Sequence, residues 1–190
     1  MELQSQNAFI AETRAWVEHV VIGLKLCPFA PAPAIKGLIR YATTNATTPE
    51  ALLEDLVSEL QRLAASSPEE VETTLLIHPH VLQEFRDYND FLSVADDVVR
   101  SLGLDGDIQI ASFHPHYQFA GTETDDLGNA TNRSPYPTLH LLREDSITRA
   151  IDAFGDTAAI SETNIATLEK LGQAGWEVLQ RRCREDAAVD

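Results

Sequence analysis

From Phe9 onward the apolar positions Phe9, Ile10, Trp16, Val17, Val20, Val21 and Leu24, with Thr13 on the same face, recur at spacings of three and four. That period predicts an amphipathic helix over 7–26. Cys27-Pro28 stops it, and Pro28, Pro31 and Pro33 predict a stiff, extended connector. A short strand is expected at 38–41. Thr47-Thr48-Pro49-Glu50 carries the signals of a helix start, and Leu52, Leu53, Leu56, Val57, Leu60 and Leu63 give that helix its apolar face. Ser66-Ser67-Pro68 ends it. A β-branched and apolar run at 73–77 predicts a second strand. A helical pattern then covers 81–102, interrupted at 86–90 and closed by Gly103. Further apolar runs predict strands at 108–113 and 138–142, followed by helices over about 145–154, 162–171 and 173–184. Residues 186–190 read as a frayed tail.

Strand–helix–strand–helix–strand is the pattern of an α/β sheet with right-handed crossovers. The expectation is a single α/β domain over 1–190: a small mixed sheet of three parallel strands plus one antiparallel strand, covered by helices. The fourth strand follows the third without a helix, so it should run antiparallel and start at the edge where the first three strands end. Ligands of open α/β sheets bind at that edge.

The chemistry-bearing residues gather there. The stretch 112–137, SFHPHYQFAGTETDDLGNATNRSPYP, has little hydrophobic periodicity. An irregular loop of about twenty residues inside a compact domain is usually functional or disordered. Two strands end alike, Leu76-Ile77-His78-Pro79-His80 and Ser112-Phe113-His114-Pro115-His116. Proline after each histidine bars continuation of the ladder. His78 and His114 are therefore candidate acid/base residues, since imidazole titrates near neutral pH. The competing reading is that each ring bonds a backbone carbonyl and seals a strand end. A histidine-based metal site would draw on His78 and His114 with Asp125 and Asp126.

Near the other end of the loop, Arg133 has the forked geometry that clamps a carboxylate or phosphate. Asn132, Ser134, Tyr117 and Tyr136 would orient such a ligand, and Arg40 would supply a second cation. Arg133 would otherwise tie the loop down through Glu123, Asp125 or Asp126. Cys27 is a weaker candidate, as a nucleophile: it follows a helix, whose negative dipole end disfavours thiolate. The other reading of Cys27 is a small buried apolar residue.

Charge narrows the partners. Among the 190 residues, 30 acids stand against 14 bases, for a formal charge of −16. So acidic a chain repels phosphate backbones, and the densest basic cluster, Arg181-Arg182-Cys183-Arg184, is followed at once by Glu185 and Asp186. Nucleic acid is not an expected partner. No apolar run reaches the roughly 18 residues of a membrane span, and the N-terminal stretch lacks a secretory pattern, so no membrane association is expected. Cys27 and Cys183 match no zinc or redox spacing, which fits free thiols in a cytoplasmic protein. Neither a cofactor nor an oligomeric state follows from the sequence.

Six motifs together resemble a bacterial family of unassigned function, domain of unknown function family 1415. They are Leu26-Cys27-Pro28-Phe29-Ala30, Glu72-Thr73-Thr74-Leu75-Leu76-Ile77-His78-Pro79, Tyr88-Asn89-Asp90-Phe91-Leu92, Ala111-Ser112-Phe113-His114-Pro115, Tyr117-Gln118-Phe119-Ala120-Gly121 and Thr131-Asn132-Arg133-Ser134-Pro135-Tyr136-Pro137. The resemblance runs from about residue 8 to Trp176 and implies no activity. Its members commonly read His-Pro-Asp-Tyr-Gln-Phe where this chain has His116, which leaves His114 the stronger candidate of the two. The leading expectation is an enzyme acting on a small anionic metabolite, with the 115–136 loop closing over it. The alternative is a non-catalytic module that binds a ligand or partner, with the same loop as its docking surface.

Overall fold

The computed structural model describes residues 2–154 and 157–188. Helix α1 (Glu2–Trp16) widens into a π-helical turn, Val17–Ile22. A five-residue helix, α2 (Pro31–Ile35), interrupts the connector that had been expected to be extended throughout. Strand β1 (Ile39–Thr43), helix α3 (Pro49–Ala65), strand β2 (Thr73–Ile77) and helix α4 (Phe85–Ser101) follow. After β3 (Ile108–Phe113) a 3₁₀ segment, Leu127–Asn132, precedes β4 (Thr138–Arg143). Helices α5 (Glu144–Phe154) and α6 (Thr157–Ala187) complete the chain, and α6 is broken at Gly172, whose φ is 70°. Helix therefore extends into the stretch expected to fray; 189–190 lie outside the described residues.

The local reasons are visible in each element. Thr48 caps α3, its hydroxyl accepting from the Ala51 N–H, with Pro49 just inside the first turn. At the other end of α3, the guanidinium of Arg143 donates to the carbonyls of Leu63 and Ser66, adding to the Ser66 N–H that the Leu63 carbonyl already accepts. The expected start of α4 at 81 moves to Phe85. Leu82 takes a left-handed conformation (φ 56°), so residues 78–84 form an irregular bend instead of a first turn.

The strands make one four-stranded sheet in the order β1-β2-β4-β3. The sheet is mixed, as expected, but it holds one parallel pair, β1–β2, rather than a run of three parallel strands. Strand β4 is inserted between β2 and β3 and pairs antiparallel with both. Burial explains the order. Every residue of β2 is buried, and β4 buries Thr138, Leu139 and Leu141, whereas β3 carries Gln109 and Ser112 and β1 carries Arg40. The two most apolar strands take the interior, and the more polar ones take the edges.

Helices cover both faces. Leu52, Leu56, Leu60 and Leu63 of α3 and Tyr88, Phe91, Ala95 and Val99 of α4 pack on Leu76, Leu139 and Leu141. On the opposite face Trp16, Val17 and Val20 pack with Leu168, Trp176 and Cys183 of α6 and with Leu75. Among the described residues no helix is long and apolar enough to cross a membrane.

Candidate functional site

The register brings the two His-Pro corners to one edge. Thr138, the first residue of β4, pairs with Ile77 on one side and Phe113 on the other. His78 and His114 thus flank the entering β4 instead of sitting on adjacent strands. The His78 N–H donates to the Pro137 carbonyl (3.0 Å), and the His114 N–H to the Asn132 carbonyl (3.1 Å).

Tyr88, on the inward stripe of α4, fills the space between the two rings. It stacks on His78 at 5.7 Å and tilts against His114 at 5.1 Å. Its hydroxyl donates to the Thr138 carbonyl (2.8 Å) and accepts from the Phe113 N–H (3.1 Å). Phe85 and Tyr117 extend the aromatic cluster outward.

Both histidines are fully buried, and both hold the 78–84 bend. His114 Nε2 lies 3.1 Å from the Leu82 carbonyl, while its Nδ1 accepts from the His116 N–H at 3.0 Å. An acceptor role at Nδ1 and a carbonyl at Nε2 fix a neutral ring protonated on Nε2. His78 Nδ1 lies 3.1 Å from the Val81 carbonyl, so it carries the proton, and its Nε2 is buried with no hydrogen-bond partner. Burial pushes both rings down to about 4, the carbonyl contacts opposing that shift only in part.

The rest of the loop is knitted by its own polar groups. Asn129 is fully buried: its Oδ1 accepts from the Phe119 N–H and the Thr122 hydroxyl, and its Nδ2 donates to the Glu123 carbonyl. Asn132 Nδ2 donates to the Ser112 carbonyl, tying the 3₁₀ segment to β3. Ser134 donates to the Tyr136 carbonyl, and the Tyr136 hydroxyl donates to Glu12 of α1 at 2.6 Å. Arg133 reaches back along the loop, Nε to the Tyr117 carbonyl (3.1 Å) and Nη2 to the Thr124 carbonyl (2.7 Å). It is half-buried, and burial lowers its pKa. Among the described residues no carboxylate forms an ion pair with it; Glu123, Asp125 and Asp126 are exposed.

A family model described as protein of unknown function (DUF1415) matches residues 8–178. The chain belongs to that family. No curated protein and no solved structure matches it. The DUF1415 span takes in every candidate site residue, yet not all of them meet. His78, His114, Asn132, Arg133, Ser134, Tyr117 and Tyr136 gather around the strand ends. Arg40 does not: it lies near the start of β1, paired opposite Thr74, and its guanidinium grips both oxygens of Glu59 at 2.7 and 2.9 Å. Cys27 is partly exposed, and burial raises its thiol pKa, with the backbone at Phe29 and Ala30 pulling the other way. Among the described residues no three His, Cys, Asp or Glu side chains are grouped to hold a metal ion.

Two cavities lie away from this edge of the DUF1415 fold. One, of about 190 Å³, is lined by Asp107, Arg143, Asp145, Ser146 and Arg149 among others; the second, of about 340 Å³, lies beside β1 against Arg14, Arg40, Tyr41 and Glu70. Tyr88 is the residue of the cluster that sequence reasoning did not place there. Its signal was present: it falls three residues after Phe85 and three before Phe91, in the stripe that must face the sheet.

Proposed function

We propose that this protein is a non-catalytic binding module whose 115–136 loop, prestructured by Asn129, Asn132 and His114, takes a small anion at Arg133. The observation that carries this reading is the guanidinium itself. In a chain with 30 acids, Arg133 is half-buried, held by two carbonyl oxygens and paired with none of the described carboxylates. A desolvated cation without a counter-charge is unfavourable, and an exogenous carboxylate or phosphate would relieve that cost. A loop already ordered gives up little entropy on binding.

The test is thermal melting against inorganic phosphate at constant ionic strength. The expected result is a midpoint that rises with phosphate in the natural chain and stays flat in Arg133→Gln, whatever the basal stability of that variant. A ligand at one hundred times its Kd adds about 2.7 kcal/mol, an ample signal. An equal rise in both proteins, or none in either, would overturn the reading.

One observation favours catalysis as a second reading: the Nε2 of His78 is buried without a hydrogen-bond partner, an uncommitted lone pair that would accept a substrate proton once the groups enclosing it move aside. In that case His78 is the base and His114, with both nitrogens engaged, is a positioning residue. Mass-spectrometric search for turnover in a mixture of small anionic metabolites tests it. Turnover that survives His78→Gln in a folded variant would remove His78 from the reaction.

A further inference from the structure

At the end of the sheet opposite the histidines, three connections meet. Strand β4 passes into α5 with no loop between Arg143 and Glu144, and the Glu144 N–H donates to the Asp107 carbonyl at 2.9 Å. Asp107 lies in the turn before β3, where its own N–H and that of Ile108 both donate to the Leu104 carbonyl. Arg143 holds the end of α3 to the same corner, its Nε and Nη2 making four hydrogen bonds to the carbonyls of Leu63, Ser66 and Val71. The cavity of about 190 Å³ is enclosed by these pieces.

Charges of both signs line it and do not neutralise one another. Arg143 and Arg149 border the cavity, and so do Asp107 and Asp145. Among the described residues, neither aspartate forms an ion pair, and neither does Arg143. Arg149 donates to the Ser146 hydroxyl at 3.0 Å and reaches Glu72 only loosely, at 3.8 Å. An ion pair needs N and O within about 4 Å, so these arginines and aspartates border one cavity from farther apart than that. Asp107, Asp145 and Arg149 are exposed, which places them where the cavity meets solvent. Arg143 is half-buried, and its Nη1 makes no hydrogen bond yet is not sealed from water.

That lining selects its guest. A plain anion would meet two aspartates, and a plain cation two arginines. A molecule bearing both charges complements all four groups. Volume sets its size: at the roughly 30 Å³ a water occupies, the cavity takes about six non-hydrogen atoms. Leu104 and Ile108 add apolar surface for a short side chain.

We propose that this cavity binds a small zwitterionic amino acid. Its carboxylate accepts from Arg143 Nη1 and from Arg149, and its ammonium group faces Asp107 and Asp145. Arg143 is already fixed by its four carbonyl contacts, so it loses little freedom when the guest arrives. The site is separate from the Arg133 edge and does not rest on it.

L-Alanine is the probe, followed by the arginine side-chain signals in ¹H–¹⁵N spectra of the full chain. Millimolar L-alanine should shift the Arg143 and Arg149 signals saturably. Propionate and ethylamine, which each keep one of its two charges, should bind at least about tenfold more weakly. Arg149→Gln and Asp145→Asn change exposed side chains, and each should weaken L-alanine binding about tenfold by removing one charged contact. Arg133→Gln should leave it unchanged. Arg143 is kept intact in these variants, because its loss would also free the carbonyls at the end of α3. Absence of a saturable shift at millimolar L-alanine, propionate binding as tight as that of L-alanine, or an affinity indifferent to either variant would overturn the proposal.

Discussion

At the scale of single residues, the Tyr88 hydroxyl does what a backbone rung does elsewhere. It bridges Phe113 N–H and Thr138 C=O, at the point where β3 and β4 part. Tyr88→Phe keeps the ring between the two histidines and strips both strand groups of a partner. The expected loss is about 2–3 kcal/mol of unfolding free energy by urea titration, the cost of leaving buried polar groups unpaired. A loss below about 0.5 kcal/mol would mean that water or a strand shift replaces the hydroxyl. His114 is comparable: its two ring nitrogens join the start of the long loop to the 78–84 bend, so its removal should register first as instability.

Among the elements, the first helix shows how a local choice is enforced. In the widened turn after Trp16, a Cβ on Gly23 would run into the carbonyl of His19. Gly23→Ala should therefore cost about 1–3 kcal/mol, as overpacking does, although alanine is normally the better helix former. Circular dichroism melts would show it, and an unchanged or higher midpoint would mean that the turn rewinds into regular helix. The apolar stripe that predicted this helix was legible because its period is local, and the same holds for α3 and for the four strands. Sheet order was not legible, because it depends on which strands best tolerate burial on both sides, and that comparison spans the whole chain. Arg40 was misplaced for a related reason: its carboxylate partner, Glu59, comes from the facing helix. The start of α4 at Phe85 was hidden as well, since apolar Val81 and Leu82 continue the helical period while Leu82 turns left-handed. The edge itself was legible from its His-Pro corners and its long polar loop. The place of Tyr88 was not, because its partners, Thr138 and Phe113, come from other elements.

For the whole molecule, the buried neutral histidines make stability depend on pH. His78, His114 and His140 all have folded pKa values pushed down to about 4 by burial, against an ordinary 6.5. The unfolded chain thus binds protons first as pH falls, and stability present above 6.5 is lost between 6.5 and 4. Each ring corresponds to roughly 3 kcal/mol at the end of that window. Most carboxylates are still ionised at pH 5, so a urea midpoint lower at pH 5 than at pH 7.5 isolates the histidines. A midpoint that is equal or higher at pH 5 would show that relief of repulsion in a chain of charge −16 outweighs them. The insertion of β4 between β2 and β3 bears on a different matter, the order in which the chain assembles. As synthesis proceeds, β1 and β2 can pair early, but β3 emerges with no strand to join, because its only neighbour begins at Thr138. The sheet closes only when a late segment threads into its centre, a high-contact-order step that sets a slow rate and leaves β3 and the aromatic cluster uncovered until then. A nascent chain halted just before β4 would carry the whole histidine edge without the strand that holds it together.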